Sequence, residues 1–134
     1  MPAADEPARA DVELRLPAEG AYVSVLRTTT AGLAARLDFT LDDIEDLRMA
    51  VGEACAIVLS GATSGSDLTT EFRLEPHTIT VRVSAPGVQP RLAPEEDFGW
   101  QVLSTLASET SLEHVDGAIT LTLVLTALPL EAGA

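Results

Sequence analysis

The sequence contains no lysine: all eight of its cations are arginine, set against 21 Asp and Glu, and its net charge is −13 over 134 residues. A surface of that sign repels phosphate, which excludes sequence-independent affinity for DNA or RNA. The same field favours a basic partner and speeds its association. Cysteine is almost as scarce. Cys55 stands alone, so no internal disulfide can form, as in chains of a reducing compartment. No apolar run approaches the ~20 residues needed to span a bilayer. Residues 1–10 lack both the apolar core and the basic cluster of a secretory signal. Together these absences predict a cytoplasmic domain that binds another protein and contacts neither membrane nor nucleic acid directly.

Familiar catalytic signatures are missing too. There is no Walker loop, GxGxxG, HExxH, CxxC or GxSxG. His77 and His114 are far apart in sequence and read as solvated residues in or beside turns, so no metal site is expected. Cys55 falls near the apolar stripe of a helix and reads as core packing. Trp100 reads as core, with a partner-facing role as the alternative.

What is present is periodicity. The hydrophobic fraction of 46% is that of a globular protein. Residues 1–10 and 129–134 read as tails around a single domain spanning 11–128. Val12, Leu14 and Leu16 alternate with Glu13 and Arg15, the pattern of a half-buried strand. Val23, Leu26, Thr30, Leu33 and Leu37 form one face of a helix. Thr40 is placed to cap a second helix, with Asp42 and Asp43 in its first turn. The stripe of that helix runs Leu41, Ile44, Leu47, Val51, Ala54 and Val58, and Gly61 stops it. Residues 68–74 and 79–83 alternate as a hairpin around Glu75, Pro76 and His77. Residues 85–94 hold Pro86, Pro90, Pro94 and Gly87 and predict a loop. A third helix is expected over 95–108, a short strand over 110–115, and a last strand over 119–126. The order β-α-α-β-β-loop-α-β-β predicts a two-layer α+β sandwich, a mixed and mostly antiparallel sheet with helices on one face.

Glu53 lies about 160° from the centre of the second helix's stripe. By pattern alone it is a solvated Glu, followed at i+4 by Ile57 at the edge of that stripe. The run around it, Asp46-Leu47-Arg48-Met49-Ala50-Val51-Gly52-Glu53-Ala54-Cys55-Ala56, resembles the N-box helix of the GHKL (Bergerat-fold) ATPases. In particular it resembles that of the anti-sigma-factor serine/threonine kinases of the RsbW and UsfX type, which carry L-x-x-A-V-x-E-A-C-x-N. The order of elements agrees over residues 11–126, and Phe98-Gly99-Trp100-Gln101-Val102-Leu103 stands where the family begins its third helix.

The resemblance implies a pocket for Mg·ATP, and the residues at its positions are mixed. It makes Glu53 the general base that activates an attacking hydroxyl. It puts an Asn at i+4 as an oxygen ligand for Mg²⁺, where this chain has Ile57. It puts an Asp that reads the adenine amino group at position 85, where this chain has Ala85; Gly87 of the same motif is kept. The glycine-rich segment that cradles phosphates is reduced to Gly99. Loss of a metal ligand and an adenine acceptor costs about 2–6 kcal/mol, or roughly 1.5 to 4 decades of affinity. No cofactor is therefore expected, and Ile57, Val88 and Trp100 are expected to close the pocket.

The resemblance further implies a sigma factor as partner, a STAS-domain anti-sigma antagonist as its competitor, and a homodimer paired through the sheets. Arg27 stands where family members present an exposed Arg to both partners; the other reading is a solvated helix arginine. The leading expectation is an anti-sigma factor with weak or lost ATP chemistry. The alternative is an active ATP-dependent kinase that phosphorylates the antagonist.

Overall fold

The computed structural model describes residues 10–90 and 97–127; apart from Ala10, the two expected tails lie outside them, as does Pro94 of the loop. Five strands and three helices follow in the expected order: β1 Val12–Pro17, α1 Val23–Ala35, α2 Leu41–Gly61, β2 Asp67–Glu75, β3 Thr78–Pro86, α3 Phe98–Leu106, β4 Glu109–Val115 and β5 Ala118–Thr126. A single 3-10 turn, Gly20–Tyr22, leads into α1. Among the described residues, no helix is long and apolar enough to cross a membrane.

The strands form one sheet in the order β1-β2-β3-β5-β4. All four neighbouring pairs are antiparallel, so the sheet is not mixed. The connections explain why. Two helices between β1 and β2 carry the chain across the sheet and back, so β2 runs opposite to β1. A hairpin turn at Asp116 and Gly117 then inserts β5 between β3 and β4. Both turn residues have positive φ, 54° and 76°, as a tight turn matched to strand twist requires.

Successive strand residues point to opposite faces. Phe72, Val81, Val83, Leu121 and Leu123 are fully buried under the helices. On the other face Glu13, Glu71, Arg82, Thr122 and Ser111 line up across the five strands by register. The edge strands β1 and β4 carry Glu13, Glu109 and Glu113 as exposed charges, which discourages unplanned strand addition.

α2 is the central helix of the second layer. Thr40 caps it as expected: its hydroxyl accepts from Asp43 N–H at 3.1 Å, and the Asp43 carboxylate accepts from Thr40 N–H at 3.4 Å. The helix buries Leu47, Ala50, Val51, Ala54, Cys55, Ile57 and Val58. Each Leu, Val or Ile so buried contributes about 1.5–3 kcal/mol. α3 begins at Phe98, later than the pattern suggested, because Asp97 has an extended backbone and caps the helix from outside.

The C-terminus of α2 is joined to the end of β3. Val88 N–H donates to the Gly61 carbonyl at 2.9 Å, and Thr63 N–H donates to the Pro86 carbonyl at 2.8 Å. The backbones approach so closely that a Cβ on Gly61 would collide with the Val88 carbonyl, and one on Gly87 with the Gly61 carbonyl. Gly32, on α1, has no neighbour within 4 Å of its Cβ position. Gly61→Ala should therefore destabilise the protein by about 1–3 kcal/mol or more. Gly32→Ala should stabilise it by about 0.5–1 kcal/mol, from helix propensity alone. Urea denaturation of the two variants checks both signs.

Candidate functional site

Three turns of α2 carry the site positions on one flank. Glu53, Ile57 and Gly61 are spaced i, i+4, i+8 and so lie above one another. Glu53 faces α3: its Oε2 is 2.8 Å from the point where a Cβ on Gly99 would sit. Gly61 faces the end of β3 through Gly87 and Val88, and its own Cβ position is 2.9 Å from Ile119 Cδ1. Ile119 in turn pairs with Ala85 in the sheet register. The fold thus brings Glu53, Ile57, Ala85, Gly87 and Gly99 to the same side of α2.

The chemistry at these positions is uneven. Ile57 is 6% exposed and Ala85 3% exposed, and neither has a polar side-chain atom. Mg²⁺ takes oxygen ligands, and adenine recognition of the implied kind needs an acceptor; these two side chains supply neither. Among the described residues, no three or more of His, Cys, Asp and Glu gather where they could hold one metal ion. Ile57 and Ala85 thus do not fit the two contacts that the resemblance implies for Mg·ATP. Val88 does not close the pocket with its side chain, which is 70% exposed; its backbone makes the contact with Gly61 instead. Trp100 is half-buried and packs against the core.

Two residues of this region have contacts that the sequence pattern did not give, Asp97 and His114, the latter expected only as a solvated residue in or beside a turn. Asp97 caps α3 by accepting from Trp100 N–H at 2.7 Å, and its Oδ1 is 3.4 Å from the Gly99 Cβ position. An Asp immediately before a helix, accepting from the N–H three residues on, is a readable capping signal, hidden here by an assumed earlier start. His114, exposed on β4, places Nε2 2.8 Å from the Gly87 carbonyl. That contact joins residues 27 apart, and no local pattern encodes it.

Arg27 lies on the opposite flank, where α1 packs on α2. It is half-buried, not exposed as expected. Its stem lies along Gly52 of α2, with Cδ 3.6 Å from the Gly52 Cβ position, an ordinary van der Waals distance. The Arg27 Nε is enclosed with no hydrogen-bond partner among the described residues, and so is Nε of Arg48. Arg48 does keep an ion pair with Glu45 at 3.6 Å.

Cys55 is fully buried as a free thiol. Burial pushes its pKa up from 9.0 to about 12, and the nearby Arg27 charge opposes that only in part. Above pH 9.0 the unfolded chain's thiol ionises, while the folded thiol keeps its proton until about pH 12. The unfolded state then binds fewer protons, so stability falls as pH rises through that window. Cys55→Ala should flatten this loss in alkaline urea titrations. A native thiol assay near neutral pH should find Cys55 unreactive until denaturant is added.

No family model matches the chain. Curated relatives do. The chain is 27% identical to the serine-protein kinase RsbW of Bacillus mycoides over 79% of each chain. It is 28% identical to the serine-protein kinase RsbW of Bacillus cereus, again over 79% of each. Among solved structures, it resembles the RsbU and RsbW domains of a Mycobacterium tuberculosis protein, with a TM-score of 0.64 and 17% identity. That match covers 91% of this chain and 33% of the other, so the chain spans about a third of that protein. Sequence relatives, element order and fold agree: the chain is similar to serine-protein kinases RsbW over most of its length, and its fold is of the GHKL type.

Proposed function

We propose that this chain is an anti-sigma factor: it binds a sigma factor in the cytoplasm, withholds it from RNA polymerase, and releases it by competition with a STAS-domain antagonist, without phosphate transfer. One contrast carries the reading. The fold of the RsbW-type proteins is intact, yet Ile57 and Ala85 are buried apolar side chains with nothing to offer Mg²⁺ or adenine. The net charge of −13 supports a basic partner, because sigma factors carry basic DNA- and core-binding regions and complementary charge speeds encounter. On the partner side the reading draws on α1 and the turn before it, where Val25 and Tyr22 are 44% and 38% exposed.

Glu53 favours the alternative, an active kinase that phosphorylates the antagonist, since its carboxylate still reaches the first turn of α3. Calorimetry separates the two. Tens of micromolar wild-type protein titrated with Mg·ATP should give no binding heat; a dissociation constant in the low micromolar range would overturn the proposal and favour the kinase. Co-purification from the native host should recover a sigma factor. Arg27→Gln should weaken that complex by about tenfold, the scale of one charge-assisted hydrogen bond.

A homodimer belongs to the same reading. The open sheet face carries both signs of charge, with Arg82 between Glu71 and Thr122 by register, and a second copy can cover it. Light scattering at micromolar concentration should give twice the 14.1 kDa chain mass; a mass of one chain would remove the dimer.

A further inference from the structure

We infer that Asp97 is a specificity-determining residue which, with Glu53, fills the anion-attracting end of α3 with the protein's own negative charge and so keeps phosphate groups out. This rests on the reading above, in which nucleotide is not the working ligand. It adds a cause that neither Ile57 nor Ala85 supplies.

A helix N-terminus has unpaired N–H groups and a partial positive charge. Left open, it draws anions, and a glycine there lets a phosphate approach the backbone. α3 has nine residues and a glycine, Gly99, in its first turn. Two carboxylates already converge on that glycine. Glu53 Oε2 is 2.8 Å from the Gly99 Cβ position, and Asp97 Oδ1 is 3.4 Å from the same point. Asp97 also takes up the Trp100 N–H at 2.7 Å, one of the donors a phosphate would use. The two acids come from different elements, Glu53 from α2 and Asp97 from the residue preceding α3.

Among the described residues, neither Glu53 nor Asp97 makes an ion pair. α3 has no basic residue, the chain has no lysine, and Arg27 packs on the far flank of α2 against Gly52. A phosphate entering here would meet two like charges at short range, where repulsion is least screened. Restoring the metal ligand and the adenine acceptor therefore leaves the phosphate end closed.

The test separates the phosphate end from the rest of the pocket. In the first arm, the pair Glu53→Gln and Asp97→Ser removes both charges and keeps hydrogen-bonding side chains; Ser still caps the Trp100 N–H. Titrated with inorganic pyrophosphate, this variant should bind at least about tenfold tighter than wild type, which is 1.4 kcal/mol. Equal affinity for the two proteins would overturn the inference. Circular dichroism of both confirms that they are folded before titration. In the second arm, Ile57→Asn with Ala85→Asp is compared, with and without Asp97→Ser, for Mg·ATP binding by calorimetry. The triple variant should bind about tenfold tighter than the double, and equal binding would again overturn it. If the buried Asn and Asp prevent folding, the pyrophosphate arm decides alone. Low-micromolar Mg·ATP binding by the wild type is a separate outcome: it would fell the functional reading, whatever the variants do.

Discussion

The rest of the structure depends on how the last turn of α2 meets the end of β3. The contact is backbone on backbone. Gly61 and Gly87 both lack a Cβ, and each occupies space that a side chain on the other would need. The hydrogen bonds from Val88 to Gly61 and from Thr63 to Pro86 hold this approach. Because it sets the height of α2 over the sheet, it also sets the layer of Leu47, Val51, Ala54 and Val58 above Val81, Leu121 and Leu123. Every site position on α2 takes its place from that anchor.

From this anchor the two flanks of one helix acquire separate characters. Adjacent residues of a helix differ by about 100°, so Gly52 and Glu53 look in different directions. Gly52 meets the Arg27 side chain from α1, and Glu53 meets the first turn of α3. The cationic group and the carboxylate group are thereby held apart across α2, with Cys55 buried on the Arg27 side. A partner reaching Arg27 meets a half-buried guanidinium whose stem is already ordered, and less side-chain entropy remains to be lost on binding.

Much of this was legible in the sequence. Strict alternation in the strands and the stripe of α2 gave the element order, because both patterns arise from one face packing against a single core. Thr40 and Asp43 announced the start of α2 by local chemistry. What could not be read was long-range. That Arg27 packs along α2 at Gly52, and so is half-buried where a surface arginine was expected, depends on the packing of two helices. The sheet's wholly antiparallel pairing depends on where β5 inserts, which alternation along β5 does not encode. Ile57 looked marginal at the edge of its stripe, yet it is buried, because α3 and the end of β3 extend the core around that side of α2. The same residues 46–56 carried the family resemblance, and Ile57 and Ala85 could be named from it because they are single side chains at fixed positions. Their burial, and the acids at Gly99, required the fold.

The indole of Trp100 gives this arrangement an optical consequence. It is the only tryptophan in the chain, it lies half-buried against the core, and its own N–H of the main chain is the one that Asp97 caps. Ultraviolet emission excited at the tryptophan band therefore comes from a single point, the first turn of α3. Any shift in its wavelength or quenching registers how that turn sits against α2, with no label attached and no background from elsewhere in the molecule.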